Sequence, residues 1–152
     1  MTTMMSRLVG RYGALVERHR NRDFLDAAMA AAALVAIADG DASLEEGGRV
    51  GELLRTLAPL AVFDPARGLD IYLGHVADIR RGEDGRQRAR DSVAAATRDR
   101  ETAALIVLVC RAVSEADGVV LDAEVAAIDH IADLLGVDAG DVHRVQAGLE
   151  GR

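Results

Sequence analysis

Apolar residues recur at intervals of three and four along nearly the whole chain, and no stretch sustains the every-second-residue alternation of a half-buried strand. The spacing predicts a first helix over Ser6–His19, a second from Asp23 to about Ala38 and a third over Leu44–Ala58, which Pro59 cannot continue. Asp64-Pro65 sets a capping carboxylate before a proline at the first helical position, and so opens a fourth helix that reaches about Arg80. A fifth is expected between Asp84 and Thr97, a sixth from Asp99 to about Ala116, a seventh over Asp122–Leu135 and a short eighth from Asp138. Gly40, Gly118 and Gly136 fall where helices should end. The expected fold is all-α: a single helical domain over residues 23–150, preceded by an amphipathic helix over residues 1–22.

An internal repeat organises this pattern. Residues 30–58 align without gaps on residues 108–136, which places Ala38-Asp39-Gly40 on Ala116-Asp117-Gly118, Glu46 on Glu124 and Leu57 on Leu135. Val50, Leu53 and Leu54 fall on Ile128, Ile131 and Ala132. Only six of the 29 paired positions are identical, but the polar identities gather at one helix-turn-helix corner in each half. Two such hairpins suggest a pseudo-symmetric pair packed face to face, within a domain of seven or eight helices.

Composition narrows the class further. At 152 residues the chain makes one ordinary domain. Half its residues are apolar, yet only 3% are aromatic and 28 are alanine, an alphabet for close-packed helices rather than for a β-sandwich. The 25 acids exceed the 18 basic residues, all arginine, for a net charge of −7. A general nucleic-acid binder needs the opposite sign, so no nucleic-acid partner is expected. The single cysteine, Cys110, follows the apolar run Leu105–Val109 and reads as a small core residue, which suits a reducing cytoplasm. The longest uncharged stretch, Ala27–Ala38, has twelve residues, whereas a bilayer span takes about 20. No signal-peptide-like apolar segment occurs in Met1–Arg11, so a soluble, cytoplasmic protein is expected.

Catalytic signatures are lacking: there is no Gly-x-Ser-x-Gly elbow, no phosphate-binding glycine loop and no His-Glu-x-x-His. None of His19, His75, His130 or His143 has a carboxylate three positions upstream, as a di-iron bundle requires, and each reads as a surface or helix-flank residue. The expectation is that the protein is not an enzyme. What stands out instead is the two acidic corners, where a helix ends in Ala-Asp-Gly and the next begins with a glutamate seven positions after the aspartate.

One account of these acids is local. Ser43-Leu44-Glu45-Glu46 is a capping box, with the Ser43 hydroxyl on the Glu46 amide and the Glu46 carboxylate reaching back. The other account starts from Asp39 and Asp117, which sit at helix C-termini, where the macrodipole disfavours a carboxylate by about 0.3–1 kcal/mol. Asp41, Glu45, Glu115 and Asp122 add further negative charge to the same corners. Clustered carboxylates repel unless a cation joins them, and oxygen-only donors suit Ca²⁺, Mg²⁺ or Mn²⁺. An EF-hand is excluded, because its glycine position holds Leu44 and its bidentate glutamate position holds Val50. Zinc is disfavoured, because neither corner contains a cysteine or histidine.

At these residues the chain resembles the bacterial TerB-like family of tellurite-resistance domains. The stretches that carry the resemblance are Asn21-Arg-Asp-Phe-Leu-Asp26, Ala38-Asp-Gly-Asp-Ala-Ser-Leu-Glu-Glu46, Leu60-Ala-Val-Phe-Asp64, Ala116-Asp-Gly-Val-Val-Leu-Asp-Ala-Glu124 and Leu134-Leu-Gly-Val-Asp138. The resemblance covers about residues 8 to 143. The resemblance implies a cytoplasmic all-helical domain in tellurite or chemical-stress resistance that binds divalent metal at its acidic corners. It also implies partners among other stress-resistance proteins, one of them membrane-embedded. Carried over residue by residue, the matching acids are Asp39, Glu46, Asp117 and Glu124, with Glu45 and Asp122 beside them, and with Asp41 added from this sequence they make the expected set for a divalent cation. The second corner departs from the family's acid-rich pattern, since Val119, Val120, Leu121 and Ala123 occupy it, while Asp41 adds an acid to the first. If a single corner takes metal, the first is favoured.

Charge is also segregated along the chain. Arg7, Arg11, Arg18 and Arg22 fall within about 60° of one another on a helical wheel, beside an apolar arc of Leu8, Tyr12, Leu15 and Val16. That helix suits either packing on the core with a solvated basic edge, or contact with an acidic partner or an anionic membrane surface, peripheral to the inner membrane. From Glu115 onward there are nine acids and, before the terminal residue, only Arg144. Two functions therefore stand side by side: a metal-binding accessory module of stress resistance that docks partner proteins, and a purely structural helical adaptor whose acids are caps.

Overall fold

The computed structural model describes residues 22–38, 50–52, 54–55, 64–95, 100–115 and 122–149. They form six helices: α1 Arg22–Ala36, α2 Pro65–Arg81, α3 Glu83–Ala94, α4 Arg100–Ser114, α5 Asp122–Leu135 and α6 Ala139–Leu149. Residues 50–52 and 54–55 are helical as well, and no strand occurs among the described residues. The all-α fold is as the periodicity predicts. The helix expected over residues 1–22 lies outside the described residues, apart from Arg22 at the start of α1.

The interior is built on α1 and α4. Every residue from Ala27 to Ile37 is buried, and so is every residue from Thr102 to Val107. A helix that is apolar all round belongs inside, and the alanines of α1 let neighbours approach from several sides. Accordingly α1 packs against α2, α3, α4 and α5, while α4 packs against α1, α5 and α6. These two helices are also the ones that the internal repeat relates. Val35 and Val113 are both buried, as are Val50 and its repeat mate Ile128. The repeat seen in the sequence is thus a repeat of burial, with the helix before each corner at the centre.

Local chemistry sets the boundaries. The Asp64 carboxylate accepts from the Ala66 amide at 3.1 Å, and Pro65 occupies the first turn of α2. Helix α5 ends in a Schellman motif: Gly136, at φ 71°, donates to Asp133, and the Val137 amide donates back to Ala132 at 3.1 Å. Asp138 and Asp141 then cap α6 reciprocally. The Asp141 amide donates to Asp138 Oδ1 at 2.8 Å, and the Asp138 amide donates to Asp141 Oδ2 at 3.2 Å.

Between α2 and α3 the chain turns on Gly82, at φ 143°. Gly85 then lets the first turn of α3 press onto α2, since a Cβ there would lie 1.8 Å from the Asp78 carbonyl oxygen. Arg88 of α3 closes this corner with two bonds to the Asp78 carboxylate, at 2.8 and 2.6 Å. That pairing holds the Asp78 carboxyl below its ordinary pKa and raises that of Arg88.

Candidate functional site

The second acidic corner lies between α4 and α5. Helix α4 runs out through Ser114, whose hydroxyl donates to the Cys110 carbonyl at 3.2 Å, and Glu115 beyond it is exposed. Helix α5 restarts at Asp122 with two acids in its first turn, Asp122 and Glu124. Both sit at a helix N-terminus, where the macrodipole favours a carboxylate. They face different surroundings: Asp122 is exposed, whereas Glu124 is only 7% exposed and belongs to the interior. Asp117 lies outside the described residues, as do Asp39, Asp41, Glu45 and Glu46 of the first corner. Of the seven expected ligands the structure therefore places Asp122 and Glu124, on opposite sides of one helix turn and not together.

Among the described residues, no group of three His, Cys, Asp or Glu side chains is gathered for a metal ion. The donor chemistry of the corner is carboxylate oxygen throughout, which fits a hard divalent cation and not zinc.

Beside this corner a half-open cleft of about 190 Å³ separates the end of α4 from α5, lined by Arg111, Ser114, Glu115, Val125, Ile128 and Asp129. Its floor is apolar and its rim charged. Val125 stands 45% exposed, and with Leu73 it makes up the large exposed apolar side chains among the described residues. Val125 is thus an exposed apolar side chain set among charged ones, not part of the core. The sequence reading did not single out Arg111, Val125 or Asp129. The available signal was Val125, which falls on the polar side of an otherwise regular α5 stripe formed by Ile128, Ile131 and Leu135.

Two further groups bear on chemistry. Cys110 is fully enclosed in α4, and burial pushes its thiol up to about 12. The thiolate needed for redox or nucleophilic work is therefore suppressed at neutral pH. His75, read from sequence as a surface or flank residue, is only 14% exposed, and its Nε2 lies 2.8 Å from Asp26 Oδ1, tying α2 to α1. Nothing in the pattern of α2 announced this partner, because Asp26 is 49 residues away in the chain. No helix among the described residues is long and apolar enough to cross a membrane.

Residues 25–147 match the protein family described as "Tellurite resistance protein TerB". The matched segment takes in both acidic corners, the repeat that relates them and all six helices but the ends of the first and last. No curated protein and no solved structure gives a match to the chain.

Proposed function

The chain belongs to the TerB family of tellurite-resistance proteins, and from that premise we propose that it is a non-enzymatic accessory protein of tellurite or chemical-stress resistance that binds a divalent cation at its acidic corners and docks partner proteins. The observation that carries this reading is the span of the family match, which encloses both Ala-Asp-Gly corners at their repeat spacing. Asp39 and Asp117, which follow the C-terminal ends of α1 and α4 in the sequence, are the acids that most need a cation. Asp41, Glu45 and Glu46 complete the first corner, and Asp122 and Glu124 the second. Ca²⁺, Mg²⁺ or Mn²⁺ suits these oxygen donors. Partners are other stress-resistance proteins, a membrane-embedded one among them, met at a cytoplasmic or membrane-peripheral location. The segregated charge of the chain favours such oriented docking.

Calorimetric titration of the full chain with Ca²⁺, Mn²⁺ and Zn²⁺ tests the metal. Saturable heat is expected for Ca²⁺ or Mn²⁺, and the Asp39→Ala/Asp117→Ala variant should lose it. A second reading, a structural adaptor without metal, draws on the burial of Glu124, which behaves as a helix-anchoring acid rather than as an open ligand. A flat trace for all three ions leaves that reading standing alone.

A further inference from the structure

The cleft beside the second corner is built from two matching triads. Arg111, Ser114 and Glu115 stand three and four residues apart at the end of α4, and Val125, Ile128 and Asp129 repeat that spacing on α5, so each set lies on one helix face. The α5 triad supplies an apolar wall, Val125 and Ile128, with a carboxylate beside it. The α4 triad supplies a guanidinium, a hydroxyl and a carboxylate. Arg111 is half-buried, whereas Glu115 and Asp129 are exposed. Among the described residues, none of these three charged side chains has an ion pair or a hydrogen bond. Charges of both signs thus line one small space without neutralising one another.

That arrangement selects an occupant by charge and by size. A simple anion on Arg111 would be repelled by Glu115 and Asp129, and a simple cation at the carboxylates would be repelled by Arg111. Neither would use the apolar wall. A zwitterion answers all three charges at once. Its carboxylate accepts two parallel bonds from the planar guanidinium, and its ammonium donates to the carboxylates. The Ser114 hydroxyl gives its proton to the Cys110 carbonyl, so its oxygen adds an acceptor for the same ammonium. An aliphatic group on the ligand takes Val125 and the remaining edge of Ile128 out of water. At about 190 Å³ the cleft is smaller than the roughly 300–1,000 Å³ of sites for drug-sized ligands. It has room for one amino acid and not for a nucleotide.

We propose that this cleft is a binding site for a free aliphatic α-amino acid, with the ligand carboxylate on Arg111, its ammonium at Glu115 and Asp129, and its side chain against Val125 and Ile128. The occupant bridges the end of α4 to the first half of α5, the two helices that frame the second corner. The inference stands apart from metal binding, since none of its residues belongs to the expected metal set.

The test titrates the isotope-labelled full chain, in the presence of EDTA, with L-leucine as the probe. The amide signals of Ser114, Val125 and Asp129 should shift and saturate below about 10 mM, while those of Leu73 and Gly74 on α2 stay in place. Arg111→Gln and Asp129→Asn should each weaken binding about tenfold or more, as a charge-assisted contact is lost. Asp129 is exposed, so Asp129→Asn reads the site even where Arg111→Gln disturbs the fold. N-acetyl-leucine keeps the carboxylate without the ammonium, and leucinamide keeps the ammonium without the carboxylate; each should bind about tenfold or more weakly than leucine. Glycine, which offers nothing to the apolar wall, should also bind more weakly. The absence of saturable shifts with leucine overturns the proposal, as do shifts that ignore both substitutions or glycine binding as tightly as leucine. Equal binding of N-acetyl-leucine overturns it too, because the cleft then takes a carboxylate alone, such as a peptide C-terminus presents. Equal binding of leucinamide overturns it from the other side, as recognition of a cation by the acids alone. Ca²⁺ calorimetry without EDTA reports separately on the corner acids, so the failure of one reading is distinguishable from that of the other.

Discussion

Helices α1 and α5 follow or precede equivalent corners of one internal repeat, yet they meet opposite environments. Helix α1 is enclosed from Ala27 to Ile37, with neighbours on four sides, and its alanines are small because other helices must come close. Helix α5 buries only one stripe, Ile128, Ile131 and Leu135 with Glu124, and gives its remaining surface to acids and to Val125. The first helix contributes stability and carries no chemistry. The second is half scaffold and half surface, and it is there that charge, an open cleft and an exposed apolar side chain coincide. Burial and exposure are thus carried by different faces, and substitutions should separate them.

The largest separation is expected between two aliphatic truncations. Leu54 is fully buried, and its side chain fills the space that Gly68 of α2 leaves open; a Cβ on Gly68 would come within 2.7 Å of Leu54 Cδ2. Leu54→Ala should therefore cost about 2–5 kcal/mol in chemical denaturation, as transfer and cavity terms add. Val125→Ala removes a side chain already 45% exposed and should stay within about 0.5 kcal/mol, while weakening whatever occupies the cleft. Comparable losses at both positions would mean that Val125 is core after all, and the open face of α5 would be lost as one side of the contrast.

The same contrast explains what was legible beforehand. Apolar periodicity reports burial, so the helices came out with their caps: Asp64-Pro65 starts α2 and Gly136 ends α5, as their chemistry requires. The repeat was legible for the same reason, since Val35 with Val113 and Val50 with Ile128 occupy matching buried positions. Side-chain partners across the fold were not. The His75–Asp26 contact joins residues of different helices, and no local pattern encodes which exposed-looking histidine will meet which aspartate. Glu124 shows the limit most clearly. Its repeat position suggested an open corner acid, and only the packing of α5 reveals a buried one. The cleft needed the placement of α4 against α5, because Arg111 and Asp129 line it from two different helices.

A smaller effect is expected at the far end of α5. Asp141 is 4% exposed and anchors the start of α6: its carboxylate accepts from the Asp138 amide and from Arg144, with Arg100 of α4 at 3.7 Å. Asp141→Ala leaves that amide and the Arg144 guanidinium without their acceptor and removes the charge facing Arg100, and should cost about 1–3 kcal/mol by thermal or chemical unfolding. Asp133→Ala, on the exposed ridge of the neighbouring helix, should not measurably change stability, so this pair repeats the interior-against-surface contrast with acids in place of aliphatics.

The smallest effect is a dependence on acid. Asp78 is held below the ordinary carboxylate range chiefly by its bonds from Arg88, and Asp138 chiefly by the backbone amide of Asp141. A carboxyl whose pKa is lower folded than unfolded takes up its proton more readily in the unfolded chain. The stability it contributes is therefore fully present above the unfolded value, about 3.9, and is lost as pH falls through the lower folded value. Both groups lie at the surface, where solvent screening keeps the contribution small. Thermal midpoints should be flat from neutral pH down to about 5 and then decline. Arg88→Gln removes the main cause of the Asp78 shift, so its midpoint should start slightly lower at neutral pH and fall less steeply below pH about 4 than that of the parent chain. Parallel curves for the two would mean that the α2–α3 clamp is electrostatically idle, and that Gly82 and Gly85 alone, through backbone fit, hold that corner closed.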